Sequence, residues 1–206
     1  MELNSTDTYR TLKNPSNEIL FKDKKSKFYG YAFPISSEDE VKLIIESLRK
    51  KHHTAGHVCY AWQLGVEKLT YRANDDGEPN NSAGMPIYGQ IKAFEVTNVL
   101  VAVPRIYGGT KLGIGGLIQA YKNAAQLALE SAIILEKTIE IFFNISFEYS
   151  EMDRAMRIIK QHAIKINSQK MDLNCVFQIS CRKSMGNTVF NAFDKIHTIT
   201  IAQMEV

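Results

Sequence analysis

Residues 105–116 (RIYGGTKLGIGG) form the segment of this sequence best suited to hold an anion. Five glycines fall within nine residues, which leaves the backbone open to sharp turns and to close approach by a ligand. Arg105 and Lys111 add positive charge, and the free N–H groups of a following helix would strengthen phosphate binding. The candidate anion- or nucleic-acid-binding residues are Arg105, Tyr107, Gly108, Gly109, Lys111, Gly113, Gly115 and Gly116.

The same glycines also have a purely structural interpretation, in which they let a helix pack closely on a strand. Neither familiar nucleotide signature is complete. Ile114 and Gly115 stand where GxxxxGK[ST] requires a lysine and a hydroxyl, and Ile118 stands where GxGxxG requires its last glycine. The cations Arg105 and Lys111 favour anion or nucleic-acid contact over packing alone.

A second candidate is the acidic turn of residues 75–79 (DDGEP), whose carboxylates belong to Asp75, Asp76 and Glu78. Such a cluster could hold Mg²⁺ or Ca²⁺, supply a general base, or contact a basic partner, although EF-hand spacing is missing. A turn that is acidic only because it is solvated is the favoured alternative. We expect the turn to lie on the same face as the glycine segment and within reach of it, so that Asp75 or Asp76 balances the charge of Arg105 and Lys111. We then expect Asp76→Asn to change ligand preference more than folding.

A third candidate is the pair His57 and Cys59, which would project to one face of a strand as metal ligands or a thiol–base pair would. The spacing indicates no further ligands and no oxyanion donor. A partly buried, structural histidine and cysteine is therefore the favoured interpretation. We assign no catalytic residue, no metal site and no cofactor.

Composition limits the classes of function. Hydrophobic residues make up 45% and charged residues 23% of the 206 residues, as in globular proteins. The net charge of +3 is too small to indicate nucleic-acid binding by itself. Three cysteines without a CxxC spacing do not support a disulfide framework. The polar N-terminus lacks the apolar core of a signal peptide, and no apolar run is long enough to span a membrane. We expect a cytoplasmic protein.

Periodicity predicts an α+β fold in which strands and helices alternate. The first 18 residues read as a loose lead-in. Strands are predicted at residues 27–34, 57–64, 68–73 and 96–104, the last of them buried and central. Helices are predicted after Ser36 and Ser37 as capping residues, from residue 82 or 84 to 94, and from 115 to 130. The last has a predicted buried face of Leu117, Ala120, Tyr121, Ala124, Leu127 and Ala128.

After Lys137 the pattern of elements starts anew. Strands at residues 139–147, 164–171, 174–181 and 196–204 and helices at 150–162 and 185–195 follow the order β-α-β-β-α-β, which is ferredoxin-like. We therefore place a domain boundary here, with domains of residues 1–137 and 138–206.

Two long motifs in this order resemble the YigZ/IMPACT family: DDGEPNNSAGMPI at residues 75–87 and VPRIYGGTKLGIGGLIQAY at residues 103–121. The HVC of residues 57–59 and the KSKF of residues 25–28 are similar to two further motifs of that family. The resemblance implies a first domain with the β/α fold of a small-subunit ribosomal protein domain. It also implies a second domain similar to the last domain of elongation factor G.

The resemblance further implies contact with RNA or the ribosome, because translation factors carry the same pair of domains. Eukaryotic members are linked to control of translation initiation under starvation. The leading hypothesis is a non-catalytic regulatory protein that binds RNA or the translation machinery. The rival hypothesis is an enzyme that acts on a phosphorylated small molecule, with the glycine segment holding the phosphate and the acidic turn holding a metal or acting as base. A protein partner docked on the acidic turn is a third possibility, and the sequence leaves the oligomeric state open.

Overall fold

The computed structural model describes residues 7–204, which form an α+β fold. Contacts divide the described chain into an N-terminal unit, Tyr9–Lys137, and a C-terminal unit of residues 7–8 and 138–204. The strands are β1 (Thr8–Leu12), β2 (Ile19–Asp23), β3 (Ser26–Pro34), β4 (His57–Leu64), β5 (Thr70–Asn74), β6 (Val99–Ile106), β7 (Ile134–Thr138), β8 (Glu140–Glu148), β9 (Lys165–Lys170), β10 (Asn174–Arg182) and β11 (Ile199–Gln203). The helices are α1 (Glu38–Lys51), α2 (Gly84–Ala93), α3 (Gly113–Glu130), α4 (Met152–Gln161) and α5 (Gly186–Asp194).

The N-terminal unit is built on a five-stranded sheet of order β2-β3-β6-β4-β5, with antiparallel neighbours. Strand β6 lies in the middle, as its uncharged run VLVAV predicts, and Val99–Val103 are fully buried. One sheet face packs against α2 and α3 in a core that includes Phe28 and Tyr121. The other face packs against α1 through Tyr31 and Trp62. The sheet therefore lies between α1 on one face and α2 and α3 on the other.

Helix α1 confirms the periodicity of the sequence, because Val41, Ile45 and Leu48 are its buried residues. Ser37 is the N-cap residue, but its side chain makes no capping hydrogen bond; instead the Ser36 hydroxyl donates to Glu40. Helix α3 begins two residues before its predicted start. Its Leu127 was assigned to the buried face but is 37% exposed.

The prediction of a loose lead-in over the first 18 residues is wrong for the part that the structure describes. Strand β1 pairs with β7 in a two-stranded sheet, supported by the hydrogen bond from Lys13 N to Ile133 O at 2.8 Å. Strand β2 begins at Ile19 and forms the edge beyond β3. Short strands at sheet edges bury few side chains and so leave little periodic signal in the sequence. Residues 1–6 of the predicted lead-in lie outside the described residues.

The C-terminal unit has a four-stranded antiparallel sheet of order β11-β8-β10-β9. With α4 after β8 and α5 after β10, this is the predicted ferredoxin-like βαββαβ arrangement. Its core includes Phe143, Phe177 and Phe193, and β9 and β10 form the predicted hairpin about Asp172 and Leu173. No helix within residues 7–204 is both long and apolar enough to cross a lipid bilayer.

Candidate functional site

The acidic turn after β5 is built into the fold through Asp75. One oxygen of its carboxylate accepts hydrogen bonds from the backbone N–H groups of Ala83 and Gly84, at 2.9 and 2.8 Å. The other accepts from the N–H of Asn81 at 2.8 Å. Because these N–H groups stand at the start of α2, Asp75 compensates for a helix whose N-cap residue, Ala83, has no side-chain acceptor.

Asp76 holds the turn against α1 and β4. Its carboxylate accepts from Arg49 and from the backbone N–H of Val58, both at 2.6 Å. Its carbonyl accepts a hydrogen bond from His57 Nδ1 at 2.7 Å, which fixes the proton of the imidazole on Nδ1. Asp75 and Asp76 are thus structural groups, and the interpretation of residues 75–79 as a merely solvated turn is wrong. The contacts of Asp76 with Arg49 and Val58 contradict the expectation that Asp76→Asn affects ligand preference more than folding.

Glu78 is the carboxylate that meets the glycine segment. It lies 2.5 Å from Arg105 Nη1, and the side chains of both residues are less than one-tenth exposed. The Tyr121 hydroxyl on α3 donates to the same Glu78 oxygen at 2.8 Å. The guanidinium of Arg105 also lies 5.5 Å from the ring centres of Phe28 and Tyr107. The acidic turn and the glycine segment are therefore joined, as expected, but by Glu78 and not by Asp75 or Asp76.

Cys59 and His57 lie on β4 and contact the acidic turn. The Cys59 thiol is fully buried, 3.0 Å from the Asp75 carbonyl oxygen and 3.3 Å from the Tyr121 hydroxyl. Burial raises the pKa of Cys59 well above that of a free thiol, and burial also raises the pKa of Tyr121. Neither group is an activated nucleophile at neutral pH. The structural interpretation of His57 and Cys59 fits these contacts.

The glycines of residues 105–116 have different roles. Gly108 is a packing position, because a Cβ there would lie 2.0 Å from the backbone carbon of Lys25. Gly109 and Gly113 have φ values of 84° and 76°, which other residues rarely adopt. A Cβ on Gly115 would meet nothing within 4 Å, so packing does not require glycine there. The start of α3 is left open at that position.

A concave pocket of about 530 Å³ joins the two segments. Its polar groups are the buried Arg105–Glu78 pair, His57 and the exposed Lys111. The remaining lining is largely apolar or backbone: Gly56, Pro79, Tyr107, Leu112, Gly113, Ile114 and Leu117. Of the residues predicted from sequence, the pocket gathers Glu78, Arg105, Tyr107, Lys111 and Gly113, whereas Asp75, Asp76, Gly108, Gly109, Gly115 and Gly116 do not line it.

The structure changes the role expected of Arg105. The sequence suggests a free cation, but the side chain of Arg105 is only 8% exposed and its charge is balanced by Glu78. Only its Nε atom is buried without a hydrogen-bond partner. Tyr121 was assigned to the core of α3 and not to a site; a tyrosine on an otherwise apolar helix face signals a need for a polar partner there. Within residues 7–204, no cluster of three or more His, Cys, Asp and Glu side chains is arranged to hold a metal ion.

Comparisons with known proteins place all of the pocket residues in a shared segment. A family model described as the Impact N-terminal domain matches residues 24–129, more than half of the chain. The chain is 28% identical to IMPACT family member YvyE of Bacillus subtilis over 172 residues, which is 83% of this chain and 78% of that protein. It is 33% identical to IMPACT family member YigZ of Escherichia coli over 131 residues, or 63% and 64% of the two chains.

The solved structures include a crystal structure of a hypothetical protein that aligns with 97% of this chain and 98% of its own. The TM-score is 0.69 and the sequence identity is 23%. At that identity the match supports the two-unit α+β fold and nothing further.

Proposed function

We propose that this protein, which belongs to the IMPACT family, is a non-catalytic cytoplasmic regulator of translation that binds RNA at the pocket around Arg105. The observation that carries the proposal is the position of the pocket at the N-terminus of α3, beside Lys111 and an exposed tyrosine. RNA of the ribosome, or of a complex with translation factors, is the expected partner.

The N-terminus of α3 supports the phosphate part of this proposal. The helix has no side-chain N-cap and no acidic residue in its first turn, so its first N–H groups and its positive dipole end are not neutralised. Lys111 is exposed just before the helix, and Gly113 and Ile114 line the pocket beside it. A phosphate placed there would meet N–H donors and one mobile cation.

The apolar lining supports the base part of the proposal. Tyr107 is 53% exposed, which leaves ring surface for a base to stack on. Leu112, Ile114 and Leu117 add apolar surface at the same pocket. A neutral floor formed by Arg105 and Glu78 can offer hydrogen bonds to base edges without attracting phosphate into the pocket. A splayed, unpaired nucleotide suits this combination of stacking surface and polar floor.

The non-catalytic part rests on the chemistry of the buried groups. The thiol of Cys59 and the hydroxyl of Tyr121 both have raised pKa values and are occupied in hydrogen bonds. Asp75 and Asp76, the candidate bases, are taken up by backbone N–H groups and Arg49. The described residues therefore offer a binding surface more readily than a nucleophile with its base.

Salt dependence of RNA binding tests the proposal. Each lysine–phosphate contact on a single strand contributes about 0.7 to the slope of log affinity against log salt. We expect Lys111→Gln to reduce the slope by about 0.7. Replacing Arg105 as well should add little to that loss, because its charge is already balanced. The matched control is Lys122→Gln, which removes the same charge from an exposed position of α3 away from the pocket.

Binding that is equal in wild type and Lys111→Gln would reject this pocket as the RNA site. Cross-linking at native salt followed by a pull-down identifies the partner. Recovery of ribosomes or ribosomal RNA by wild type, and lower recovery with Lys111→Gln, is the expected result. Recovery of a single protein without RNA would refute RNA as the partner.

A second candidate function, chemistry on a phosphorylated small molecule, is favoured by one observation. The pocket volume of about 530 Å³ falls within the range of small-ligand sites, roughly 300–1,000 Å³. Calorimetric titration with nucleoside monophosphates and sugar phosphates distinguishes the two. Tight binding of a free phosphorylated compound, with its conversion on incubation, would favour the enzyme over the RNA-binding protein.

A further inference from the structure

The hairpin of β2 and β3 carries four lysines close together in sequence, Lys22, Lys24, Lys25 and Lys27, and all four are exposed. Within residues 7–204, none of the four forms an ion pair, and Asp23 in the same hairpin pairs with none of them. This basic hairpin stands apart from a chain whose net charge is only +3.

The conformation of the hairpin does not favour lysine. Lys24 and Lys25 form a two-residue turn in which both have positive φ, 41° and 66°. Such turns normally use asparagine, aspartate or glycine, because other residues rarely adopt a positive φ. Lys22 and Lys27 are direct cross-strand partners, and like charges directly opposite each other are unfavourable. Strain and repulsion at one place indicate a role other than folding.

The turn is held against the glycine segment. The Ser26 hydroxyl accepts a hydrogen bond from the Gly108 N–H at 3.1 Å, and a Cβ on Gly108 would collide with the Lys25 backbone. The next residue before Gly108 is Tyr107, which lines the pocket. Contacts between Phe28 and the Arg105 guanidinium tie the same strand to the pocket floor. The basic hairpin therefore borders the pocket through the backbone and is fixed in place beside it.

We infer that the basic hairpin is a docking surface for the phosphate backbone of a single RNA strand, one nucleotide of which enters the pocket. This inference rests on the proposed function and extends it from one nucleotide to the flanking strand. Lys24 and Lys25 lie at the turn beside Gly108, whereas Lys22 and Lys27 lie on the sheet face opposite α3, so the RNA strand would leave the pocket, cross the turn and continue along that face. Lysines that form no ion pair can release their counterions when phosphates bind.

The test measures binding of the full chain to a fluorescein-labelled single-stranded oligouridine of about 12 nucleotides. Fluorescence anisotropy gives the affinity at each of several salt concentrations. The main variant is Lys24→Asn with Lys25→Gly, which removes two charges and installs the residues that this turn prefers. The second variant, Lys22→Thr with Lys27→Thr, removes the cross-strand charge pair and keeps residues that favour strands. The control is Lys165→Gln with Lys170→Gln, two exposed lysines of β9 in the C-terminal unit.

Each hairpin double variant should lower the magnitude of the salt slope by about 1.4, twice the single-contact value. If variant and wild type bind equally at about 1 M salt, this change of slope makes the variant bind about 25-fold more weakly than wild type at about 0.1 M salt. Lys24→Asn with Lys25→Gly should also raise the Tm, so lost binding cannot be assigned to lost folding. The β9 control should bind as wild type does.

Four outcomes overturn the inference. If the hairpin variants bind as wild type while Lys111→Gln binds weakly, the docking surface is wrong and the proposed function stands. If the β9 control loses as much affinity as the hairpin variants, the effect is one of total charge. If polyglutamate binds wild type as tightly as oligouridine does, the surface recognises an acidic protein. If wild type binds no oligouridine, the proposed function and the docking surface both fail.

Discussion

Replacing Glu78 by glutamine tests whether the Arg105–Glu78 pair is a true buried ion pair. Glutamine keeps the volume and an oxygen that can still accept from Tyr121, so the main change is loss of the negative charge. Arg105 would then remain almost fully buried with no counter-ion. Burying an unpaired charge costs far more than the pair itself contributes, since the charge has lost its hydration.

The expected destabilisation is about 3–5 kcal/mol, the range for removing one partner of a buried pair. For a unit of this size it corresponds to a fall in Tm of roughly 10–20 °C. The exposed Glu46 on α1 provides the control, because Glu46→Gln should change stability by less than about 0.5 kcal/mol. Replacing both partners, Arg105→Met with Glu78→Leu, should cost less than Glu78→Gln alone, because no charge is then left buried.

Trp62 makes the assay specific for the unit that contains the pair. It is the only tryptophan of the sequence, it is buried, and it lies in the N-terminal unit. Urea unfolding followed by its fluorescence therefore reports the free energy of that unit. A cost below about 1 kcal/mol for Glu78→Gln would refute the reasoning, since it would mean that water reaches Arg105. A double variant that is as unstable as the sum of the single variants would also refute it.

Two further predictions concern stability and domain structure. Burial lowers the pKa of His52, so the unfolded chain binds more protons than the folded chain once the pH falls below about 6.5. The free energy of unfolding should therefore decline from about pH 6.5 downward. His52→Gln should flatten that part of a plot of unfolding free energy against pH. A decline near pH 6 that persists unchanged in the variant would refute the assignment to His52, because Glu18, whose pKa is lowered mainly by its hydrogen bond with Lys51, loses its contribution only below about pH 4.5. The junction of the two units lies between β7 and β8, each of which is paired within its own sheet, so limited proteolysis near residues 136–140 should be slow but should leave two stable fragments, and cuts spread through both halves would indicate one fused domain.

The sequence alone determined the elements with strong periodicity and their order. Helix α1 repeats apolar residues every three to four positions, which predicts one buried face. The run VLVAV of β6 has β-branched and small residues without a charge, which predicts a buried strand. The ferredoxin-like arrangement follows from element order because few topologies accommodate β-α-β-β-α-β. The motifs of residues 75–87 and 103–121 likewise located the pocket region, since their unusual turn and glycine content has few structural uses.

Only the tertiary structure decided which charges remain available at the site. Glu78, Asp75 and Asp76 are nearly adjacent in sequence, yet one meets Arg105, one caps α2 and one binds Arg49. Arg105 lies 27 positions from Glu78 in the sequence. Their contact depends on the pairing of β4 with β6, which periodicity within one element does not predict. The edge strands β1 and β2 and the basic hairpin were not predicted from the sequence for a related reason. Their significance depends on which neighbours they pair with and which they lack, and those neighbours are assembled only when the chain folds.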